Sequence, residues 1–157
     1  MPKIIPFLWF NNEAEEAMRF YVSIFQECKD HQHEPLWRGG TWPGGNRHVG
    51  TFQLEGQEFM ALNGGPQFKF TPAISLFVNC ETQPEVDELW EKLSAGGQKE
   101  RCGWLTDKYG LSWQIIPTTL GKMLADKNPE KSKRVMQAML QMQKIDIDGL
   151  KRASEQK

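Results

Sequence analysis

The chain is poor in the features that mark specialised proteins. Only three of its 157 residues are cysteine, at positions 28, 80 and 102, with no Cys-x-x-Cys pair among them. An odd number at wide spacing excludes a disulfide scaffold and a zinc ribbon, and predicts reduced thiols. No apolar run approaches the roughly 20 residues that span a bilayer. The N-terminal MPKIIPFLWFNN turns polar too soon for a secretory signal. A cytoplasmic location without a membrane partner is therefore expected. Neither sign of charge is in excess: 19 Lys and Arg stand against 20 Asp and Glu, a net charge of −1. Such a chain exerts no general pull on a polyanion, so no nucleic-acid partner is expected. From Lys122 to Lys157 basic residues outnumber acidic ones by 9 to 5, which a solvated helical surface accounts for.

What remains is the composition of one soluble domain, 39% apolar with six Trp. A chain this long buries about 70% of its unfolded surface and needs no staple to fold. Residues 4–10 (Ile-Ile-Pro-Phe-Leu-Trp-Phe) read as a buried strand. From Glu13 to Phe25 the period becomes helical, with Ala14, Ala17, Met18, Tyr21, Ile24 and Phe25 on one stripe. Asn12 and Glu15 have the spacing of a capping box.

The same grammar returns after the midpoint. Residues 73–78 read as a strand, Thr82-Gln83-Pro84-Glu85 as a capping box with Pro in the first turn, and Val86, Leu89, Trp90 and Leu93 as an apolar stripe. Gly96-Gly97 marks the helix end, where a left-handed residue is needed. Each half then closes in strands introduced by a glycine: Gly56 before Met60-Ala61-Leu62, and Gly110 before Gln114-Ile115-Ile116. Asp107-Lys108-Tyr109-Gly110 reads as a hairpin turn. Two βαβββ units in tandem are the expected organisation, with extra residues in the first between Leu36 and His48. Residues 117–125 and 129–143 read as helices, the second rich in Met. Packing on its own sheet and packing across a dimer, where soft thioethers fit irregular surfaces, both remain open for it.

Read in order, these residues resemble a family. Asn11-Asn12, Glu15-Glu16-Ala17 with Phe20-Tyr21, Asn63-Gly64-Gly65-Pro66, Phe68-Lys69-Phe70-Thr71-Pro72, Ser75, Val78-Asn79-Cys80 and Gly110-Leu111-Ser112-Trp113-Gln114-Ile115-Ile116-Pro117 carry the likeness. They look like the PhnB-like branch of the vicinal oxygen chelate superfamily, which includes glyoxalases, bleomycin-resistance proteins and extradiol dioxygenases. The branch is often labelled 3-demethylubiquinone-9 3-methyltransferase. The resemblance spans roughly residues 3–145 and implies an α+β fold of tandem βαβββ modules at about 3–66 and 70–117. A helical tail at 118–145 and a C-terminal tail at 146–157 would follow. It also implies a homodimer.

The superfamily's chemistry rests on a divalent metal held by His or Glu inside the sheets. The corresponding positions here fall at Ile4 or Ile5, Met60, Ala73 or Ser75, and Gln114. One amide and one hydroxyl do not replace two imidazoles and two carboxylates, so neither metal nor cofactor is expected. For the labelled methyltransferase, the first strand runs through Asn11-Asn12-Glu13 directly into a helix, without the glycine-rich turn such enzymes commonly use. The run Gly39-Gly40-Thr41-Trp42-Pro43-Gly44-Gly45 precedes a strand and reads as a hairpin or lid.

Alternation puts Leu8 and Phe10 on the helix and leaves Ile5, Phe7 and Trp9 on the opposite, concave side. The same logic turns Ala73, Ser75 and Phe77 inward, with Met60, Ser112 and Gln114 on the closing strands. Phe7, Trp9, Met60, Ser75, Phe77, Ser112 and Gln114 thus form the candidate small-molecule site, an aromatic cup with a few polar groups. The competing account is a filled core, in which Gln114 simply ties to Ser75 or Ser112. His31 and His33 share a face of an extended segment and have Cys28 and Asp30 nearby, but lack a second ligand group elsewhere. His48 beside Arg47 has no fixed place, and no cysteine has the base that lowers a thiol pKa. No catalytic residue is assigned. Three readings stand: a metal-free small-molecule binder, an enzyme of the superfamily working through other groups, and a structural dimer.

Overall fold

The computed structural model describes residues 2–25, 40–41 and 48–156. These residues form a mixed α+β structure with two four-stranded sheets and five helices, and the chain divides after Phe70 into two compact units. The cluster of Cys28, Asp30, His31 and His33 lies outside the described residues, as does most of the glycine-rich run. No described helix is long and apolar enough to cross a membrane.

In the first unit, β1 (Phe7–Phe10), α1 (Ala14–Phe25), β2 (Gly40–Thr41), β3 (His48–Leu54) and β4 (Gln57–Asn63) follow one another. The sheet order is β1-β4-β3-β2, with β1 parallel to β4 and the other pairs antiparallel. Glu55 and Gly56 both take positive φ (48° and 81°), the conformation of a two-residue turn whose twist matches the strands it joins. Leu8, Phe10, Phe52, Phe59 and Ala61 are buried, together with Ala14, Ala17, Met18 and Tyr21 of α1. Phe52 and Phe59 pair across β3 and β4 with ring centroids 5.3 Å apart.

Two expectations need correction. Pairing on β1 begins only at Phe7, after Pro6, and Ile4 is exposed. Proline has no N–H to give a ladder, although its carbonyl accepts from the Met60 amide. Asn12 does not cap α1 either. The helix begins at Ala14, whose amide donates to Asn63 Oδ1 at the end of β4, 2.8 Å away. An acceptor delivered by strand pairing has replaced the local one.

The second unit repeats the order with β5 (Ser75–Cys80), α2 (Gln83–Ser94), β6 (Gln98–Lys99), β7 (Trp104–Thr106) and β8 (Ser112–Pro117). Its sheet runs β5-β8-β7-β6, again with one parallel pair, β5 with β8. Thr82 caps α2 by accepting from the Glu85 amide, and the Glu85 carboxylate accepts from the amide of Glu81, so the capping signal is realised. Gly96 takes φ +75° past the helix end, and a Cβ on Gly97 would strike the Thr106 carbonyl. Ala73, expected in β5, lies in the turn before it. Val86, Leu89, Trp90 and Leu93 bury against Leu105, Trp113 and Ile115.

The hairpin from β7 to β8 is built around Asp107, which is 2% exposed. Its Oδ1 accepts from the amides of Tyr109 (2.8 Å) and Leu111 (3.1 Å), and its Oδ2 accepts from Trp113 Nε1 (2.8 Å). Gly110 supplies the positive φ the turn requires. A buried carboxylate is tolerable because three donors replace its water.

Helices α3 (Thr118–Leu124), α4 (Pro129–Leu140) and α5 (Ile147–Glu155) complete this unit. Met123, Leu124, Met139 and Met142 pack on a core of Ile116, Leu120, Val135, Ile145 and Leu150, so the Met-rich helix covers its own domain. Helix α5 occupies the stretch from which only a tail was expected. Gln83 of α2 anchors it: its amide nitrogen donates to the Ile145 carbonyl (3.0 Å) and its oxygen accepts from the Ile147 amide (2.8 Å).

Candidate functional site

Both sheets bury one face under a helix, and strand alternation sends the remaining side chains to the other. In the first unit Phe7 and Met60 sit opposite each other in register, as do Trp9 and Leu62. Phe7 is 45% exposed, while its neighbour Leu8, turned to the helix, is 6% exposed. Trp9 is committed to its own unit. Its Nε1 donates to the Gly65 carbonyl (3.0 Å), and its ring stands edge-on to Phe68 with centroids 4.9 Å apart. A Cβ on Gly64 would fall 2.2 Å from the indole, so the Asn63-Gly64-Gly65 loop has glycine where the ring lies against the chain. Trp9 therefore offers a ring surface, with its N–H already engaged.

In the second unit the register aligns Ser75, Ser112 and Thr106 in one row, and Phe77, Gln114 and Trp104 in the next. Phe77 is 52% exposed. Gln114 Nε2 donates to Ser75 Oγ at 2.9 Å, which is one of the two ties foreseen for that amide. Ser112 is 1% exposed, and its Oγ has no hydrogen-bond partner. An unmatched buried hydroxyl costs about 1–3 kcal/mol. At the sheet edge, Thr106 Oγ1 donates to Glu100 Oε1 (3.1 Å), and the Glu100 amide bonds the Trp104 carbonyl. Glu100, Trp104 and Thr106 thus join this face, although none was a sequence candidate. The alternation Trp104-Leu105-Thr106 ahead of the Asp107 turn was the available signal.

The seven sequence candidates accordingly fall into two groups, Phe7, Trp9 and Met60 in the first unit and Ser75, Phe77, Ser112 and Gln114 in the second. Within each group they share the face away from the helix.

Among the described residues no group of three or more His, Cys, Asp or Glu side chains is placed to hold a metal ion. The Cys80 thiol is an unsuitable nucleophile. Burial, reinforced by Glu85 and Glu81, pushes its pKa up to about 12, so it stays protonated at neutral pH. Asp87 is held below the usual carboxylate range by the hydrogen bond from Gln83, with Lys144 adding to it. That group belongs to the α2–α5 junction and not to the sheet faces.

Comparison with known proteins agrees with this architecture. The PhnB protein from Bacillus cereus is 37% identical, with a TM-score of 0.63, and the match covers 74% of this chain and all of that one. Protein PA1353 from Pseudomonas aeruginosa shares the fold at 18% identity and a TM-score of 0.55, over 74% of this chain and 98% of that one. No curated protein matches the chain. The family described as 3-demethylubiquinone-9 3-methyltransferase matches residues 2–116. On that match and its likeness to the Bacillus cereus protein, the chain belongs to the PhnB-like, 3-demethylubiquinone-9 3-methyltransferase family.

Proposed function

We propose that this chain is a metal-free small-molecule-binding protein built on the vicinal oxygen chelate plan, as two tandem βαβββ modules with a helical tail. Each sheet offers a ligand surface on the face turned away from its own helix. The observation that carries this reading is the exposure of Phe7 and Phe77 on those faces, from the edge strands β1 and β5, beside Met60 in one unit and Gln114 in the other. Aromatic surface with a few convergent polar groups is the usual composition of a small-molecule site. In the second unit Ser75 and Gln114 provide polar groups, and in the first Trp9 provides a ring held in place by its own loop.

A divalent metal does not fit the residues present. Met60 offers no hard donor, and the amide of Gln114 is already tied to Ser75. Such an ion wants several carboxylate or imidazole ligands, which these positions do not supply. Nor do the residues suit the methyltransferase of the family description. Strand β1 leads through Asn11-Asn12 into α1 without a glycine-rich turn, and each sheet has a single parallel pair. Among the described residues, then, no crevice of the kind where parallel strands bind nucleotide-like cofactors is built. The proposal includes a homodimer, which the family resemblance implies, and a cytoplasmic location.

Thermal-shift screening against small aromatic compounds tests the proposal. A ligand at a hundred times its Kd adds about 2.7 kcal/mol, and Gln114→Leu and Phe77→Ala should abolish the shift while leaving the unliganded melting profile cooperative. Retention of every shift by both variants would remove the proposed site. One transition-metal ion per chain, measured on protein purified without chelator, would refute the metal-free part.

A further inference from the structure

The polar groups on the open face of the second sheet are unequal in kind. Gln114 spends an amide proton on Ser75 Oγ, which leaves its own carbonyl oxygen as an acceptor. The Thr106 hydroxyl spends its proton on Glu100. Glu100 is half-buried, and among the described residues no cation pairs with it. Lys99, its chain neighbour, reaches Glu91 of α2 instead, 2.8 Å away. None of the strand residues on this side is Lys, Arg or His. In the row below, Ser112 Oγ is buried without a partner between Ser75 and Thr106. The face is therefore rich in acceptors, carries one negative charge that no described cation pairs, and holds two aromatic rings, Trp104 and Phe77, on either side of Gln114.

A half-buried carboxylate is costly unless a cation meets it, and Glu100 is paired through its backbone with Trp104 on the neighbouring strand. An ammonium group satisfies both neighbours, through a charge-assisted hydrogen bond to the carboxylate and through attraction to the aromatic face. Resting on the small-molecule reading above, we infer that the ligand of this face is a cationic amine with an aromatic or apolar body. Its ammonium group sits against Glu100 and Trp104, its body lies along Phe77, and a hydrogen-bond donor on it reaches the Gln114 oxygen.

The test uses the full chain and three probes of one shape: phenethylammonium, the neutral phenethyl alcohol and the anionic 3-phenylpropionate. Binding is followed by NMR through the Trp104 indole N–H signal, identified by its loss in Trp104→Phe. The ammonium probe should bind at least tenfold more tightly than the alcohol, and the anion should not move the signal. Glu100→Gln should weaken the ammonium probe about tenfold and leave the alcohol unchanged. If the alcohol or the anion binds as tightly as the amine, or if Glu100→Gln changes nothing, the charge preference is wrong while the ligand face survives. If the amine leaves the Trp104 signal unmoved although aromatic ligands from the screen depend on Gln114 and Phe77, this inference alone falls. If no compound in either experiment binds, both readings fall together.

Discussion

Replacing Asp107 by Asn tests how the hairpin holds β8, the strand that carries Ser112 and Gln114. The carboxylate is 2% exposed and accepts from two backbone amides through one oxygen and from Trp113 Nε1 through the other. An asparagine has one oxygen. If it serves the two amides, its NH2 confronts the indole N–H, donor against donor. Losing a hydrogen bond to a charged group costs about 1.5–3 kcal/mol, and stranding a buried donor adds to it, so Asp107→Asn should destabilise by about 3 kcal/mol. Trp113→Phe removes the indole donor and should cost about 2 kcal/mol. In the Trp113→Phe background the donor conflict is gone, so Asp107→Asn should cost about 1.5 kcal/mol less than in the parent chain. Urea unfolding at unchanged m-value, on all four proteins, measures this coupling. Equal costs of Asp107→Asn in the two backgrounds would refute the reasoning, as would a single-variant cost below about 1 kcal/mol.

Three further outcomes follow from the same geometry. Gly64→Ala places a methyl 2.2 Å from the Trp9 ring; overpacking of this kind costs about 1–3 kcal/mol and should shift Trp9 fluorescence, whereas unchanged stability would mean the ring does not lie there. Gln83→Ala removes the bonds to Ile145 and Ile147, so amide exchange across α5 should accelerate before that of β8, and uniform acceleration would contradict a local anchor. For Asp87 the folded pKa is depressed, chiefly by Gln83 and then by Lys144. Its contribution is therefore present above the unfolded value of about 3.9 and lost as pH falls through the lower folded value. Both partners of the Lys144–Asp87 pair are more than a third exposed, so the effect is at most about 0.5 kcal/mol. Comparison of Asp87→Asn with the parent chain at pH 7 and pH 3 should show the difference shrinking in acid, and a difference that grows would reverse the argument.

Much of the fold was legible because its signals are local. Alternation separated Leu8 and Phe10 from Phe7 and Trp9, and burial follows that division. Thr82 with Glu85, and Asp107 with Gly110, lie three residues apart, close enough for caps and turns to be recognised by spacing alone. Helix α5 was illegible for the opposite reason. Its buried residues are only Ile147 and Leu150, too few for a periodic stripe, and its first amide is satisfied by Gln83, 64 positions away.

The sequence by itself determined which side chains each strand presents to its helix and where the chain turns, because those choices depend on neighbours a few bonds apart. Tertiary structure alone decided which distant groups meet: Asn63 at the start of α1, the Trp9 N–H on Gly65, Gln114 on Ser75 and not Ser112, and α3, α4 and α5 around a shared core with Ile116. Glu100 entered the candidate site the same way, through the Thr106 hydroxyl on the neighbouring strand. Each of these contacts exists only once strands pair in a particular register. Register is settled by burial of a whole face at once, and no short stretch of residues encodes it.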